Sequence, residues 1–346
     1  MRMTKPFFSV LCAAGLVAAL FIFVRSATYT LRPDEEGTRR RLENFYAEPK
    51  DSLDAVFIGS SAVYASVSPL RLYRQTGITS AVYATPNQSL SVIPYVLKEC
   101  RKTQPRALYV IELRAALASE EDRRTIAADI RRQTDNMPWS LLRGRMILEL
   151  VPPSEQLLHA ADLLRYHGRW KEVRPEDLRF TWGRADAMKG WTFISRIEPL
   201  SMAEEWKSNA RLSLPAESEQ ELRLLAEYCL TEKVQVIFFA APFPLSRKQA
   251  KQYNEISGIL EEYGFPFINM NRKIRELGLD WQTDFYDYRH TNMSGAARCT
   301  DFIGEQLLGQ LTPSGFRQEW DVLLPSYNSR EEACLREIRG AETNDL

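Results

Sequence analysis

The longest apolar run in the chain is Phe7 to Val24, eighteen residues in which Ser9 is the only clearly polar side chain. As a helix rising 1.5 Å per residue, it is just long enough to cross a hydrocarbon core of roughly 30 Å. Arg2, Lys5 and the amino terminus precede it, which favours a cytoplasmic N-terminus and an extracytoplasmic remainder. Arg25 and Arg32 on the far side weaken that asymmetry, although Asp34, Glu35 and Glu36 follow closely. The exit reads Val24-Arg25-Ser26-Ala27 rather than an A-x-A-like cleavage site. The expectation is an uncleaved, single-pass membrane anchor over residues 1–30, with a cleaved signal peptide as the alternative.

Beyond a polar stretch, Arg32 to Lys50, the pattern changes to short apolar runs: Leu53 to Gly59, Thr79 to Ala84, Arg106 to Leu113, Val234 to Pro242 and Phe265 to Met270. Near-continuous apolar strands separated by helical patterns predict a parallel sheet covered on both faces. One helix is read from Ser246 to Tyr263, where Ala250, Tyr253, Ile256, Leu260 and Tyr263 recur at helical spacing before Gly264. A closing helix shows Ala296, Cys299, Ile303 and Leu307 on one stripe, which reads Cys299 as core. Between Leu117 and Glu232 the strand–helix rhythm is lost, and the reading is a helical and irregular insertion over about 117–232. The organisation expected is thus an anchor at 1–30, an α/β domain at 31–312 and a polar C-terminal extension at 313–346 that wraps the domain or frays.

Composition narrows the chemistry. Among 346 residues, Lys plus Arg and Asp plus Glu both number 45, and the pI is near 6.9, so the global charge of a nucleic-acid binder is missing. Five cysteines stand far apart with no CxxC pair, which excludes a zinc ribbon or a disulfide framework. Cys12 is expected in lipid and the other four as small buried hydrophobes. No Walker A or GxGxxG follows a strand, so no nucleotide cofactor is implied. His159 and His167 lack metal-ligand spacing. Tyr166, Trp170, Trp182 and Trp191 are read either as a sugar-stacking group or as local packing. Arg123, Arg124, Arg131 and Arg132, interleaved with Glu120, Glu121, Asp122 and Asp129, read as a solvated helix face.

Two motifs carry chemistry. In FIGSSAVYASVSP the first strand ends at Gly59 and meets Ser60 and Ser61, where a strand presents a reactive group and a helix start presents N–H groups to an oxyanion. A serine at that junction is equally an ordinary helix N-cap. In DFYDYRHTNMSGA, Asp287 and His290 are three apart just before the closing helix. A carboxylate that close can fix the imidazole tautomer and stabilise the imidazolium formed when it takes a serine proton.

Together, and in this order, the G-x-S after strand one and the D-x-x-H before the last helix resemble the SGNH/GDSL hydrolase superfamily, over roughly Leu53 to Leu311 in architecture. The GSS form, the anchor and the central insertion look most like its membrane-anchored branch, which includes DltD-type D-alanine transfer proteins and alginate-type O-acetylation proteins. The resemblance implies a flavodoxin-like three-layer α/β sandwich. It also implies a nucleophile at Ser61, a base at His290 and an orienting acid at Asp287, with Ser60 standing where the family's Asp of GDS is usual. The family's Gly after the second strand and GxND after the third are missing: this chain has Thr85-Pro86-Asn87-Gln88 and Glu112-Leu113-Arg114. Oxyanion donors are therefore sought at the Ser61 or Ala62 N–H and at the Asn87 or Gln88 side chain, Asn87 being alternatively a helix cap.

What the resemblance and location imply is an extracytoplasmic serine esterase or O-acyltransferase acting through an acyl-enzyme, without metal or cofactor. Its partners would be an acylated glycan or cell-envelope polymer, the membrane, and a membrane-bound O-acyltransferase. A non-catalytic or weakly catalytic glycan-binding accessory of a membrane O-acylation or polymer-export complex is the alternative, favoured by the missing family elements.

Overall fold

The structure is a computed structural model that describes residues 5–34, 37–119, 126–178, 187–201 and 208–344. Helix α1 (Lys5–Leu31) leads into α2 (Thr38–Ala47), β1 (Ala55–Gly59), α3 (Ser61–Ser66), α4 (Pro69–Thr76), β2 (Ser80–Ala84), α5 (Ile93–Arg101) and β3 (Leu108–Glu112). The long β3–β4 connection carries α6 (Ile126–Asn136), α7 (Leu141–Leu150), α8 (Gln156–Ala160), α9 (Asp162–Tyr166) and α10 (Ala216–Thr231). Then come β4 (Val236–Ala240), α11 (Arg247–Glu262), β5 (Phe267–Asn269), α12 (Ile274–Leu277), α13 (Met293–Leu308), α14 (Gln318–Asp321) and α15 (Leu324–Asn344).

The five strands form one all-parallel sheet in the order β2-β1-β3-β4-β5. Each of the five apolar runs contains one strand, trimmed by one or two residues at its start and by none to two at its end. Successive side chains point to opposite faces of a strand, and two cores follow. Val56, Ile58, Tyr83, Tyr109, Ile111 and Phe238 lie on one face with α5, α10 and α11. Phe57, Val82, Val110 and Phe239 lie on the other with α3, α4 and α13. Each large side chain buried this way stabilises by about 1.5–3 kcal/mol, which is why the strands read as unbroken apolar runs.

Helices start where local chemistry predicts. The Ser246 side chain accepts from the Gln249 N–H and the Gln249 side chain reaches back, a capping box for α11, and Gly264 beyond its end has φ 75°. Asn292 caps α13 by accepting from the Ser294 and Gly295 N–H groups. The stripe Ala296, Cys299, Ile303 and Leu307 is fully buried.

Three features differ from the reading of the sequence or sharpen it. Helix α10, assigned to the insertion, is the crossover helix of the sheet: Leu222, Leu225, Ala226 and Cys229 enter the main core, so the insertion ends before Ala216. The C-terminal extension runs as α14 and α15 and packs on α4. Arg71 bridges Asp301 and Glu331 at 2.5–2.6 Å, and the Tyr327 hydroxyl meets Ser68 at 2.9 Å. Among the described residues, α1 is the helix long and apolar enough to cross a membrane. Leu16, Val17, Leu20, Phe21, Ile22 and Phe23 are each at least 60% exposed. Its last carbonyls are clamped from the domain, Tyr29 O by Arg39 at 2.9 Å and Leu31 O by Arg169 at 2.8 Å, cations suited to a helix C-terminus. Cys12 is exposed on this helix, and Cys100, Cys229, Cys299 and Cys334 are buried free thiols.

The sheet is tightly packed at Gly59. A Cβ there would lie 2.8 Å from both Glu112 Cβ and Val63 Cγ2, at a φ of +153° that L side chains rarely adopt. Gly59→Ala is expected to lower unfolding free energy by about 2–4 kcal/mol, combining overpacking with backbone strain. Denaturant titration checks this; a cost below about 1 kcal/mol would show that β1 and β3 separate easily here.

Candidate active site

In open parallel sheets ligands bind beyond the carboxyl ends of the strands, and β1 lies between β2 and β3 with all its side chains buried. The two serines that follow divide the roles that one serine was read to fill. Ser60 is the N-cap of α3, with extended backbone and Oγ accepting from the Ala62 N–H at 3.4 Å. Ser61 is the first residue of that helix. Its Oγ lies 2.8 Å from His290 Nε2.

His290 reaches this point through a tightly bonded loop. Asp287 Oδ1 accepts from the N–H groups of Arg289 at 2.7 Å and His290 at 2.9 Å, and the Tyr286 N–H returns to His290 O at 3.0 Å. The Tyr286 and His290 rings stack, 5.5 Å apart and 15° from parallel. The loop is sewn to the first motif by the Thr291 hydroxyl, which donates to Ala65 O at 2.6 Å. Gly295 lets α13 pass against it, since a Cβ there would sit 2.3 Å from Asp284 O. His290 Nδ1 then lies 2.8 and 3.0 Å from the two Asp287 oxygens. With a carboxylate facing Nδ1, the proton belongs there, and the Nε2 lone pair points at the Ser61 hydroxyl.

Electrostatics keeps that lone pair available. Burial lowers the His290 pKa below its ordinary 6.5, and the Arg114 and Arg289 charges push the same way against the Asp287 hydrogen bond. Arg114 spans the site's edge, donating through Nη1 to Arg289 O at 2.9 Å and lying 4.3 Å over the Phe243 ring. Beneath it, at the end of β3, Glu112 is fully buried. Burial raises its pKa from 4.5 to about 7, against the Arg114 charge and hydrogen bonds that favour the anion. Of these, the Arg114 N–H at 3.0 Å is well formed; Ser60 and Ala241 approach more weakly, and Glu112 Oε2 has no hydrogen-bond partner. A glutamate closing an apolar strand is the local signal that marks this position as unusual; its place beside Gly59 is not readable from the strand alone.

The oxyanion candidates separate. The Ala62 N–H is engaged by the long Ser60 contact, whereas the Ser61 N–H lies outside the hydrogen-bond ladder of α3. Gln88 is buried and its amide donates to Gln133 Oε1 at 3.4 Å, so its N–H group serves the packing of α6. Asn87 is exposed, with φ 50°, in a turn closed by the Gln88 N–H on Thr85 O at 3.3 Å. Positive φ after a proline marks a type II turn, and α5 begins only at Ile93, so Asn87 is not its cap. Thr85, which the sequence reading passed over, is fully buried with Oγ1 unpartnered. It stands one residue beyond Ala84, the partner of Gly59, and thus level with Ser60.

The remaining features are structural. His159 is buried, its Nδ1 2.9 Å from Thr134 Oγ1, with its pKa pushed down to about 4 chiefly by burial. His167 is exposed, with Nδ1 2.8 Å from Leu164 O. No cluster of potential metal ligands occurs among the described residues. Trp191 is buried and Trp170 is 65% exposed, while the Tyr166 hydroxyl donates to Asp135 at 2.5 Å; these do not form one aromatic platform, and Trp182 lies outside the described residues. Arg131, read as solvated, is buried and pairs with Glu155 at 3.7 Å. Glu120, Glu121, Asp122, Arg123, Arg124 and the Asp129 side chain lie outside the described residues.

Compared with known protein families and with curated proteins, the chain has no match.

Two titrations test this electrostatic arrangement. The chain has three histidines, so selective ¹⁵N labelling resolves each ring. His290 is expected to titrate below pH 6.5, and Arg114→Gln, removing a repelling charge, to raise its pKa; an unshifted midpoint would remove Arg114 from the site's electrostatics. For Glu112 the folded pKa is above the unfolded one, so stability falls as pH rises from about 4.5 to about 7. Glu112→Gln lacks this loss. Between pH 5 and 8 the wild type is expected to lose more stability than the variant by about 1–3 kcal/mol in paired denaturant curves.

Proposed function

We propose that this chain is a membrane-anchored serine esterase or O-acyltransferase of the SGNH type. One observation carries the reading: an unbroken hydrogen-bonded series, Ser61 Oγ to His290 Nε2 at 2.8 Å and His290 Nδ1 to Asp287 Oδ2 at 2.8 Å, at the carboxyl end of a parallel sheet. Nucleophile and base within hydrogen-bond reach, with the base oriented by a third group, is the arrangement that activates a hydroxyl.

In this reading Ser61 Oγ attacks an ester carbonyl while His290 Nε2 takes its proton. Asp287 stabilises the imidazolium without itself accepting the proton. The backbone donor to the developing oxyanion is the Ser61 N–H at the start of α3, with the Asn87 side chain as a further donor. His290 returns the proton to the departing alcohol, leaving an acyl group on Ser61. Water or a sugar hydroxyl, deprotonated in turn by His290, then releases the acyl group as acid or as a new ester. Hydrolase and transferase thus share every residue named and differ in which acceptor reaches the acyl-enzyme.

Location supports the substrate class. With α1 as an anchor, the domain works at the membrane face, where acylated glycans and envelope polymers lie within reach. The resemblance to membrane-anchored acyl-transfer proteins supports the same class.

Labelling of the full-length protein with a fluorophosphonate serine probe tests the proposal. Label is expected on wild type and Ser60→Ala, none on Ser61→Ala, and at least about 100-fold slower labelling of His290→Ala and Asp287→Asn. Folded wild type that takes no label would overturn the enzyme reading in favour of a glycan-binding accessory.

A further inference from the structure

A concave site without Ser61, Asp287 or His290 in its lining lies at the carboxyl-terminal end of α1. It is a cavity of about 560 Å³, within the range of roughly 300–1,000 Å³ typical of small-molecule sites. Its lining comes from α1, from the insertion and, through Arg39, Glu43 and Tyr46, from α2. The anchor helix contributes Phe21, Val24, Arg25 and Thr28, and the insertion contributes Met137 to Trp139 and Ala160 to Leu163.

Depth along the helix locates this cavity. Helix α1 has 27 residues, about 40 Å at 1.5 Å per residue, which matches a bilayer including its headgroup layers. The apolar run ends at Val24, so Phe21 and Val24 stand at the edge of the hydrocarbon, and Arg25 to Arg32 stand in the headgroup layer. The lining agrees: Trp139 is about half exposed. An exposed tryptophan beside the anchor helix suits an interface with lipid.

The floor is charged. Arg25, Arg32, Arg39 and Arg143 face Glu43, Asp135 and Asp162, four cations against three anions, an excess of one positive charge. Part of this set is internally satisfied: Asp162 accepts from Arg143 at 2.9 Å and lies 3.7 Å from Arg32. Among the buried polar atoms of the lining residues, Arg32 Nε, Arg143 Nε, Asp135 Oδ1 and Asn136 Oδ1 have no hydrogen-bond partner. Two are donors and two are acceptors. Unpaired buried groups are costly, and an apolar wall beside them calls for an amphiphile rather than for water alone.

We propose that this cavity holds one phospholipid with a hydroxylated headgroup. Its phosphodiester accepts from the Arg32 and Arg143 edges, its headgroup hydroxyls donate to Asp135 and Asn136, and one acyl chain leaves along Phe21 and Val24. The proposal rests on α1 being a membrane anchor. It is independent of whether Ser61 is catalytic. The lipid would serve as mortar between the anchor and the insertion, fixing the domain's tilt on the membrane.

Full-length protein is reconstituted in nanodiscs of equal phosphatidylglycerol and phosphatidylcholine, released into mild detergent, and weighed intact by native mass spectrometry. Wild type is expected to retain one phosphatidylglycerol, at least fivefold over phosphatidylcholine, whose headgroup offers no hydroxyl. Thr28→Trp and Ala161→Trp fill the cavity from opposite walls, one on the anchor and one on the domain, and each is expected to reduce retention at least fivefold. Unchanged retention in both variants, or equal retention of the two lipids, overturns the site. Alkaline carbonate extraction of the same membranes separates the two readings. Protein that stays in the membrane yet keeps no lipid overturns the site alone, whereas protein that is stripped off overturns the anchor and the site with it.

Discussion

Everything at the serine depends on β1 having nowhere else to go. It is paired on both edges, by β2 and β3, and buried on both faces. Only its carboxyl end is open. Parallel pairing leaves no register freedom, because a one-residue slip would exchange two apolar faces that pack against different helices. Ser61 therefore inherits its position from a strand constrained on both edges and both faces. A nucleophile mounted on a rigid element is held more accurately than one on a free loop.

The partner side of the site is a loop, and it needs its own restraint. Asp287 supplies part of it, since the same carboxylate that orients the imidazole also accepts two backbone N–H groups of its own turn. The Thr291 hydroxyl on Ala65 O supplies the rest. Further along, Thr300 Oγ1 accepts from the Ser68 N–H at 3.0 Å and ties α13 to the segment after α3. The C-terminal extension braces that segment from outside through Tyr327 and the Arg71 bridge. The distance between Ser61 and His290 is thus the outcome of bonds made by residues that take no part in proton transfer.

Charge at the strand ends follows one logic. Glu112 lies beside Gly59, and an anion there would oppose negative charge forming on a carbonyl oxygen at Ser61. Burial favours the neutral acid, while Arg114 stands over it and at the same time disfavours a charged His290. Acid and base are pushed toward their uncharged forms by the same dry surroundings, which is how titratable groups are prepared for proton transfer near neutral pH. The clamps on the α1 carbonyls apply helix-end electrostatics to a different task, fixing where the apolar helix meets the folded part.

Much of this was legible along the chain because burial on both faces removes polar residues from a strand. The five apolar runs therefore marked all five strands, and Ser246, Gly264 and the stripe of α13 marked helix ends and faces through local bonding rules. Asp287 and His290 could be paired because three residues in one loop set their distance. Other decisions were made only in three dimensions. Helix α10 reads as part of a charged insertion until the sheet offers Leu222 and Cys229 a face to cover. Gln88 had an amide suited to an oxyanion, but a partner 45 residues away took it. Only the resemblance favours Ser61 over Ser60 on paper; in the fold the N-cap geometry takes Ser60, and a histidine 229 residues downstream meets Ser61. Periodicity and caps are short-range and are written into neighbouring residues, whereas hydrogen bonds between distant segments exist only after the chain has packed them together.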